Sequence, residues 1–241
     1  NAHGSQNLSV STCRVEEPKF INDDARGPDN LSQMFRLSRA GPGNYSEPLN
    51  WMRQAAERGD AEAQYYLGLS YERGYGISKN DAEAMKWYRE AAEQGLAEAQ
   101  YNLSAMYIRG SGGVRDYAAA VKWLRLAAGQ GLIQAQNNLA LMYVDGHGVK
   151  QSYILATTWF HLAAEEGFAE AQFNVAFMYY NGLGVAQDFA TAYNWLHLAA
   201  IHGHKKGYSI RDELAKRMTL IQIEDARWQT SVWIEVHPIR Y

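Results

Sequence analysis

Residues 97–131 read AEAQYNLSAMYIRGSGGVRDYAAAVKWLRLAAGQG, and closely similar stretches precede and follow them. A tryptophan occupies the same place in each stretch, 36 residues after the one before. The five are Trp51, Trp87, Trp123, Trp159 and Trp195. Eight residues after each tryptophan stands a glycine, from Gly59 to Gly203. A period of this length is typical of a helical solenoid, in which each unit buries its apolar face against its neighbours.

The first helix of each unit carries small and apolar residues on one side. Ala63, Leu67 and Tyr71 recur at intervals of four residues, which gives one apolar stripe on an amphipathic helix. A pair such as Gly74-x-Gly76 follows each of these helices, and its first glycine is predicted to take the left-handed conformation that closes a helix. A phosphate-binding loop is the alternative, but no strand pattern precedes any of the four copies.

The second helix of each unit places a tryptophan near small residues. Trp87 is followed by Ala91 and Ala92, so a large indole lies beside recesses that allow a neighbouring helix to approach closely. Because the indole recurs in every unit, we expect the tryptophans to be core residues. A stripe of tryptophans that binds a metal or cofactor is the alternative.

The repeats divide the chain into three predicted regions. Residues 1–28 form an arm that is flexible or extended, residues 29–203 form the helical repeats with a degenerate first unit, and residues 204–241 form capping helices and a tail. Beyond Gly203 the register of the repeat is lost, as expected of a terminal cap. Thr219 and Gln222 have the spacing of a capping box. The last helix is expected to carry charged residues on its outer face.

Composition excludes several classes of function. The net charge is −3 and no run of lysines and arginines is present, so nucleic acid is not an expected partner. No stretch approaches the roughly 18 consecutive apolar residues of a membrane span. Cys13 is the only cysteine, which excludes an internal disulfide and a cysteine-based metal site. The chain begins with Asn1 rather than Met, so we expect an exported bacterial protein, periplasmic or secreted, with a cytoplasmic location as the alternative.

Histidines do not predict a metal site. His161 and His197 occupy the place that Arg89 and Arg125 hold in earlier units, and arginine cannot replace a zinc ligand. The shared place is therefore interpreted as a partly exposed helix surface. Two further histidines, His202 and His204, flank Gly203 without a third ligand at helical spacing. We expect no metal and no cofactor.

Recurring carboxylates are interpreted as structural rather than catalytic. Glu62, Glu98 and Glu170 stand near the starts of first helices, where a negative charge suits the helix dipole. They lie a full repeat apart, too far to share a proton as an acid/base pair. No zinc-protease motif, nucleophile elbow or serine/histidine/aspartate order is present. No catalytic residue is predicted.

The stretch AEAQYYLGLSYERGYGISKNDAEAMKWYREAAEQG at 61–95 resembles the Sel-one-like repeat family, relatives of the tetratricopeptide repeat. The resemblance covers about residues 46–203. It implies an all-α fold, a right-handed superhelical solenoid of antiparallel helix pairs whose concave surface is lined mainly by first helices. It also implies an adaptor role. Some members carry cysteine pairs, and a subset of those is associated with penicillin binding; this sequence lacks the pairs, so that role is not expected.

If first helices line the groove, one stripe of residues in each unit faces inward. This stripe mixes aromatic and polar side chains, as peptide-binding surfaces do. Packing between adjacent first helices is an equally open interpretation for Tyr65 and Tyr101. The predicted ligand-binding residues are Tyr65, Leu69, Arg73, Tyr101, Ile108, Arg109, Asn137, Leu141, Phe173, Phe177, Tyr180 and Asn181, with Ala105, Val144 and Asp145 on the same stripe.

The sequence therefore predicts a non-enzymatic adaptor or scaffold that binds a protein or peptide in its groove. A carbohydrate-binding envelope scaffold is the alternative, because tyrosines also stack on sugar rings. A hydrolase or transferase with an unrecognised site is a third hypothesis.

Overall fold

In the computed structural model of the protein, the structure describes residues 46–236, with side chains from residue 49 onward. Within this range the chain forms eleven α-helices and no strand. The helices are α1 (Ser46–Glu57), α2 (Ala61–Arg73), α3 (Asp81–Glu93), α4 (Ala97–Arg109), α5 (Tyr117–Gly129), α6 (Ile133–Asp145), α7 (Tyr153–Glu165), α8 (Ala169–Asn181), α9 (Phe189–Ile201), α10 (Gly207–Ala215) and α11 (Leu220–Val236). The predicted arm at 1–28, the degenerate helix before α1 and Cys13 lie outside the described residues.

The predicted fold class is confirmed: the chain is an all-α solenoid of antiparallel helix pairs. Each repeat contributes a first helix (α2, α4, α6 and α8) and a second helix (α3, α5, α7 and α9). The described residues fall into two compact units, which we call the N-terminal unit, up to Ala135, and the C-terminal unit, from Gln136 onward. Consecutive helices pack together from α1 to α5 in the first unit and from α7 to α10 in the second.

Local capping explains where most helices begin and end. Asp60, Asn80, Asp116, Ser152 and Asp188 each precede a helix, and their side chains accept hydrogen bonds from its first backbone N–H groups. Such caps satisfy donors that have no partner within the helix. The glycines after first helices take the left-handed conformation, as predicted; the φ angle of Gly74, for example, is 73°.

The second glycine of each pair has a role that the sequence analysis missed. Gly112 also has a positive φ angle, 76°. A Cβ atom there would lie 2.7 Å from the carbonyl oxygen of Asp81, at the start of the preceding second helix. The loop after α4 therefore packs directly on the backbone of α3, and only glycine fits both the conformation and the space.

The tryptophans are not equally buried, so the prediction that all five are core residues is wrong. Trp123 is 9% exposed, but Trp51 is 63% exposed. The deeply buried large residue of each second helix is the one that follows the tryptophan, namely Met52, Tyr88, Leu124, Phe160 and Leu196. Each shares a stripe with the alanines three and four residues after it and, except for Met52, with the alanine four before it, whereas the tryptophan is rotated by about 100° to the edge of that stripe.

A glutamine that recurs in the repeats connects a first helix to the end of the helix before it. The sequence analysis did not single out this residue. The Nε2 atom of Gln100 donates to the carbonyl oxygen of Ala92 at 3.1 Å. Gln64 makes the same bond to Ala56 at 3.1 Å. In the C-terminal unit, Gln172 bonds Ala164 in this way at 3.0 Å. These glutamines are separated by multiples of 36 residues, and this recurrence could have indicated their structural role from the sequence.

The C-terminal helices confirm the predicted capping box and the charged outer face of the last helix. The backbone N–H of Thr219 donates to Oε1 of Gln222 at 2.8 Å, and the N–H of Gln222 donates to the Thr219 hydroxyl at 3.3 Å, which is the predicted capping box. Buried Gly207 and Leu214 stand one period after Ala171 and Met178, but Arg211 rather than an apolar residue holds the place of Leu67, so the strict register is not kept. The outer face of α11 carries the exposed carboxylates Glu224, Asp225 and Glu235, and Trp228 is exposed beside them.

Candidate binding surface on the first helices

In the N-terminal unit, an ion pair links the C-terminal ends of α2 and α4. Nη2 of Arg109 lies 2.7 Å from Oε1 of Glu72. The other oxygen of this carboxylate accepts a hydrogen bond from the hydroxyl of Tyr88 at 2.8 Å. The Glu72 side chain is largely buried while that of Arg109 stays partly exposed. The guanidinium is therefore held in place at the surface by a buried, doubly bonded carboxylate.

Tyr65 lies on the same side of α2 and is half-buried. Its ring packs edge-on against Tyr66 with centroids 5.2 Å apart and lies 5.8 Å from the ring of Tyr88. Burial is the main reason that the pKa of the Tyr65 hydroxyl is raised well above 10. Its counterpart in α4, Tyr101, is buried. Both rings thus take part in packing, and only Tyr65 keeps an accessible side.

Carboxylates gather at the opposite ends of these helices. Glu62 and Glu98 lie in the first turns of α2 and α4. Burial raises the pKa of Glu62, and the negative charges of Asp60 and Glu98 raise it further. The predicted placement near helix starts is confirmed. For Glu62, however, desolvation and like charge outweigh the stabilisation expected from the helix dipole.

In the C-terminal unit, the centre of the predicted stripe is packed. Nδ2 of Asn174 donates to Oδ1 of Asn137 at 3.1 Å, and both side chains are buried. Phe173 stacks on the ring of His204 with centroids 4.1 Å apart. Phe177 and Leu141 are buried as well. These side chains hold α6 and α8 in place rather than project toward a ligand.

The end of α8 carries the accessible part of the stripe. The guanidinium of Arg217 lies over the Tyr180 ring, 5.4 Å from its centroid, and donates a hydrogen bond to the Tyr180 hydroxyl. Asn181 is exposed, and its Nδ2 donates to the carbonyl oxygen of Phe177 at 2.9 Å. Arg217 follows Tyr180 by 37 residues, as Arg109 follows Glu72. The sequence analysis did not include Arg217, although its spacing from Arg109 was a usable signal.

His161 and His197 contact different groups of side chains. His161 lies between Tyr179 and Trp195, with ring centroids 5.7 and 5.5 Å away. Nδ1 of His197 accepts a hydrogen bond from Arg211 at 2.6 Å. Burial is the main cause that lowers the pKa of both rings. Both are half-buried, which agrees with the partly exposed surface predicted for them.

Metal-ligand clusters and membrane-spanning helices were sought in the part of the chain that the structure describes. No group of three or more histidine, cysteine, aspartate or glutamate side chains there could hold a metal ion. Within residues 46–236, no helix is long and apolar enough to cross a bilayer.

The predicted site residues therefore separate into two sets. The buried set, which we call the floor residues, comprises Leu69, Tyr101, Ile108, Asn137, Leu141, Phe173 and Phe177. The half-buried or exposed set comprises Tyr65, Arg73 and Arg109, called the N-terminal rim, and Tyr180 and Asn181, called the C-terminal rim. The expectation that Phe173 and Phe177 are open to a ligand does not agree with their burial, because their rings complete the packing of α8.

A family model described as "Sel1 repeat" matches residues 30–60, 61–96, 97–132, 133–168 and 169–204. The chain belongs to the Sel1 repeat family. Sel1 repeat proteins are typically scaffolds for protein–protein interaction and generally lack catalytic activity. The resemblance stated from the sequence is thereby confirmed. No curated protein matches the sequence significantly.

Solved Sel1 repeat structures are similar to this one. The protective antigen c5321 of uropathogenic Escherichia coli shares 36% identity at a TM-score of 0.76, over 86% of this chain and 46% of that chain. A Sel1 repeat protein from Oxalobacter formigenes shares 34% identity at a TM-score of 0.67, over 76% of this chain and 54% of that chain. The present chain thus spans about half the length of these relatives.

Proposed function

We propose that this Sel1 repeat protein is a non-enzymatic adaptor that binds a protein or peptide on the surface of its first helices. The support is a difference between two kinds of place in the repeat. Ala63, Ala99, Ala135 and Ala171 hold one place with the same residue, and all four are fully buried. Packing explains that repetition, because each unit meets its neighbours in the same way.

The exposed rim, in contrast, changes from repeat to repeat. The place of Arg73 is held in the following repeats by Arg109, Asp145 and Asn181. Packing does not require such variation, whereas a ligand with a sequence of its own does. This contrast between constant core places and variable rim places is the observation that carries the proposal.

The chemistry of the N-terminal rim suits a peptide. Tyr65 offers the side of an aromatic ring, and Arg109 offers a guanidinium that Glu72 holds in position. Tyrosine and arginine are the residue types that dominate affinity at many interfaces. A side chain that is already positioned also loses little conformational entropy on binding.

The test measures how much protein from an extract of the producing organism is captured by the immobilised chain. The rim variant Tyr65→Ser/Arg73→Ser is compared with the parent and with Arg115→Ser/Tyr117→Ser. The control also removes one tyrosine and one arginine, but at the start of α5, where Arg115 donates to the Tyr117 hydroxyl at 3.3 Å. We expect the rim variant to lose captured protein about tenfold or more, while the control retains it and all three keep the same helical signal.

The same experiment separates the alternatives. Equal capture by the rim variant and the parent would contradict the proposed surface. Binding to a glycan array without any captured protein would favour the carbohydrate-binding scaffold instead. Chemical conversion of a captured molecule by the protein would favour the hydrolase or transferase hypothesis.

We further propose that the protein acts in the bacterial envelope or outside the cell. The support is its similarity to a relative described as a protective antigen of a bacterial pathogen. Fractionation of the producing organism tests this, and recovery of the protein only with cytoplasmic markers would contradict it.

A further inference from the structure

The last described helix, α11, carries apolar side chains on two opposite faces. Its inner face carries Thr230 and Trp233. The Thr230 hydroxyl donates to Oδ1 of Asn194 in α9 at 2.6 Å, and the Trp233 ring meets that of Trp195 edge-on with centroids 6.2 Å apart. This face anchors α11 to the preceding second helix.

The opposite face has no covering element among the described residues. Ile221, Trp228 and Val232 stand at intervals of seven and four residues, which places them on one side of the helix. Ile221 is 78% exposed and Trp228 is 65% exposed. Leu220 and Val236 extend the exposed apolar surface at the two ends of the helix. We call these five residues the α11 outer stripe.

The outer stripe is large enough to form the centre of an interface. A tryptophan side chain alone can bury on the order of 150 to 250 Å², and four further apolar side chains extend the surface around Trp228. A standard interface buries roughly 800 Å² on each partner. Scattered single apolar residues need no explanation, but a continuous stripe along one helix marks an interaction surface.

The charges around the stripe define the partner. Glu224, Asp225 and Glu235 lie between or beside its members and are exposed. The only basic residue of α11, Arg227, is also exposed, but it lies about 100° around the helix from Trp228, outside the centre of the stripe. A second copy would bring three more carboxylates against these three, and an anionic lipid surface would also be repelled.

We propose that the α11 outer stripe binds an amphipathic helix of a partner protein whose apolar face is bordered by lysine or arginine. The apolar face of such a helix covers Ile221, Trp228 and Val232, as in helix-in-groove recognition. Its basic border meets Glu224, Asp225 and Glu235. This surface shares no residue with either rim, so the inference does not depend on the proposed function.

Two synthetic 18-residue helices test the proposal. They share one leucine face and differ only in whether lysine or glutamate borders it. Fluorescence anisotropy measures the affinity of each labelled peptide for the full chain. We expect the lysine peptide to bind at least about tenfold more tightly than the glutamate peptide, and Ile221→Gln/Trp228→Gln to weaken it by a similar factor.

Two variants make the test specific. Leu155→Gln/Leu162→Gln is the matched control, because these leucines are also seven residues apart and exposed, at 43% and 42%, on α7; it should bind as the parent does. Glu224→Lys/Glu235→Lys should reverse the preference toward the glutamate peptide. Circular dichroism checks that every variant keeps its helical content.

Three outcomes would overturn the proposal. They are equal binding of both peptides, an effect of the α7 control equal to that of the α11 variant, and concentration-dependent dimerisation of the parent that Ile221→Gln/Trp228→Gln abolishes. The last result would assign the stripe to a second copy of the chain.

Discussion

Gln100 bonds the carbonyl oxygen of Ala92 through its side-chain amide at 3.1 Å, and so connects α4 to the end of α3. Its own Oε1 accepts from Nε2 of Gln130 at 2.9 Å, at the end of α5. One buried side chain thus satisfies groups at the ends of two second helices. Buried polar groups that lose such partners destabilise a protein more than the average hydrogen bond stabilises it.

We therefore expect Gln100→Ala to lower the free energy of unfolding by about 1 to 3 kcal/mol. Urea denaturation measures this change, with Gln229→Ala as the control, because Gln229 is only half-buried and bonds Asp225 on its own helix. The control should change stability by less than about 0.5 kcal/mol. A similar small change for both variants would mean that the Gln100 bonds are not important for stability.

The repeat made the solenoid predictable, because a period of 36 residues admits few other arrangements. It also predicted helix ends and the capping box at Thr219. What it could not predict was which side of a second helix faces the core. The tryptophan recurs unchanged, whereas the type of residue after it varies, and only packing shows that Tyr88 rather than Trp87 is fully buried.

The candidate site was predictable in outline only. Periodicity identified the stripe, but it could not separate Phe173, which packs on His204, from Asn181, which is exposed. That distinction depends on side chains that come from turns later in the sequence. His204 and Arg217 lie in the turns before and after α10, at the end of the strict repeats and beyond them.

The unequal burial of the tryptophans leads to a paired prediction. Trp123→Ala should lower the free energy of unfolding by about 3 to 5 kcal/mol, because a buried indole leaves a large cavity. Trp51→Ala should cost less than about 1 kcal/mol, since that indole is mostly exposed. Chemical denaturation of both variants checks the difference. Equal losses would contradict the assignment of burial along the second helices.

The close approach of the loop after α4 to α3 is tested by neighbouring glycines. Gly112→Ala should destabilise by more than about 1 kcal/mol, because its φ angle is positive and a Cβ atom would meet the backbone of Asp81. Gly113→Ala is the control, since a Cβ atom there meets nothing within 4 Å. Thermal denaturation of the two variants measures the contrast. Comparable midpoints would show that the loop can move away from α3 at little cost.

Acid should loosen the C-terminal unit selectively. Burial lowers the folded-state pKa of His161, His197 and His202. Their unfolded value is about 6.5, so below that pH the unfolded state binds protons more readily, and stability falls as the pH decreases. The described part of the N-terminal unit contains no histidine.

Hydrogen exchange at pH 7.5 and 5.5, corrected for intrinsic rates, measures this effect. Opening free energies should fall in α7 and α9 and change little in α2 and α4. The variant His202→Gln should reduce the difference, because Gln94 holds the equivalent place in the N-terminal unit and bonds Gln64 as His202 bonds Gln172. A uniform decrease over both units would show that carboxylates, not these histidines, govern the response.

The central claim is that partner recognition lies on the first helices and is separate from the packing core. Hydrogen exchange of the protein alone and bound to its captured partner tests this claim most directly. We predict that protection increases in α2 and α4, toward Arg73 and Arg109, or in α8 toward Asn181, and stays unchanged in α3 and α5. Protection gained only in α3 and α5 would contradict the claim.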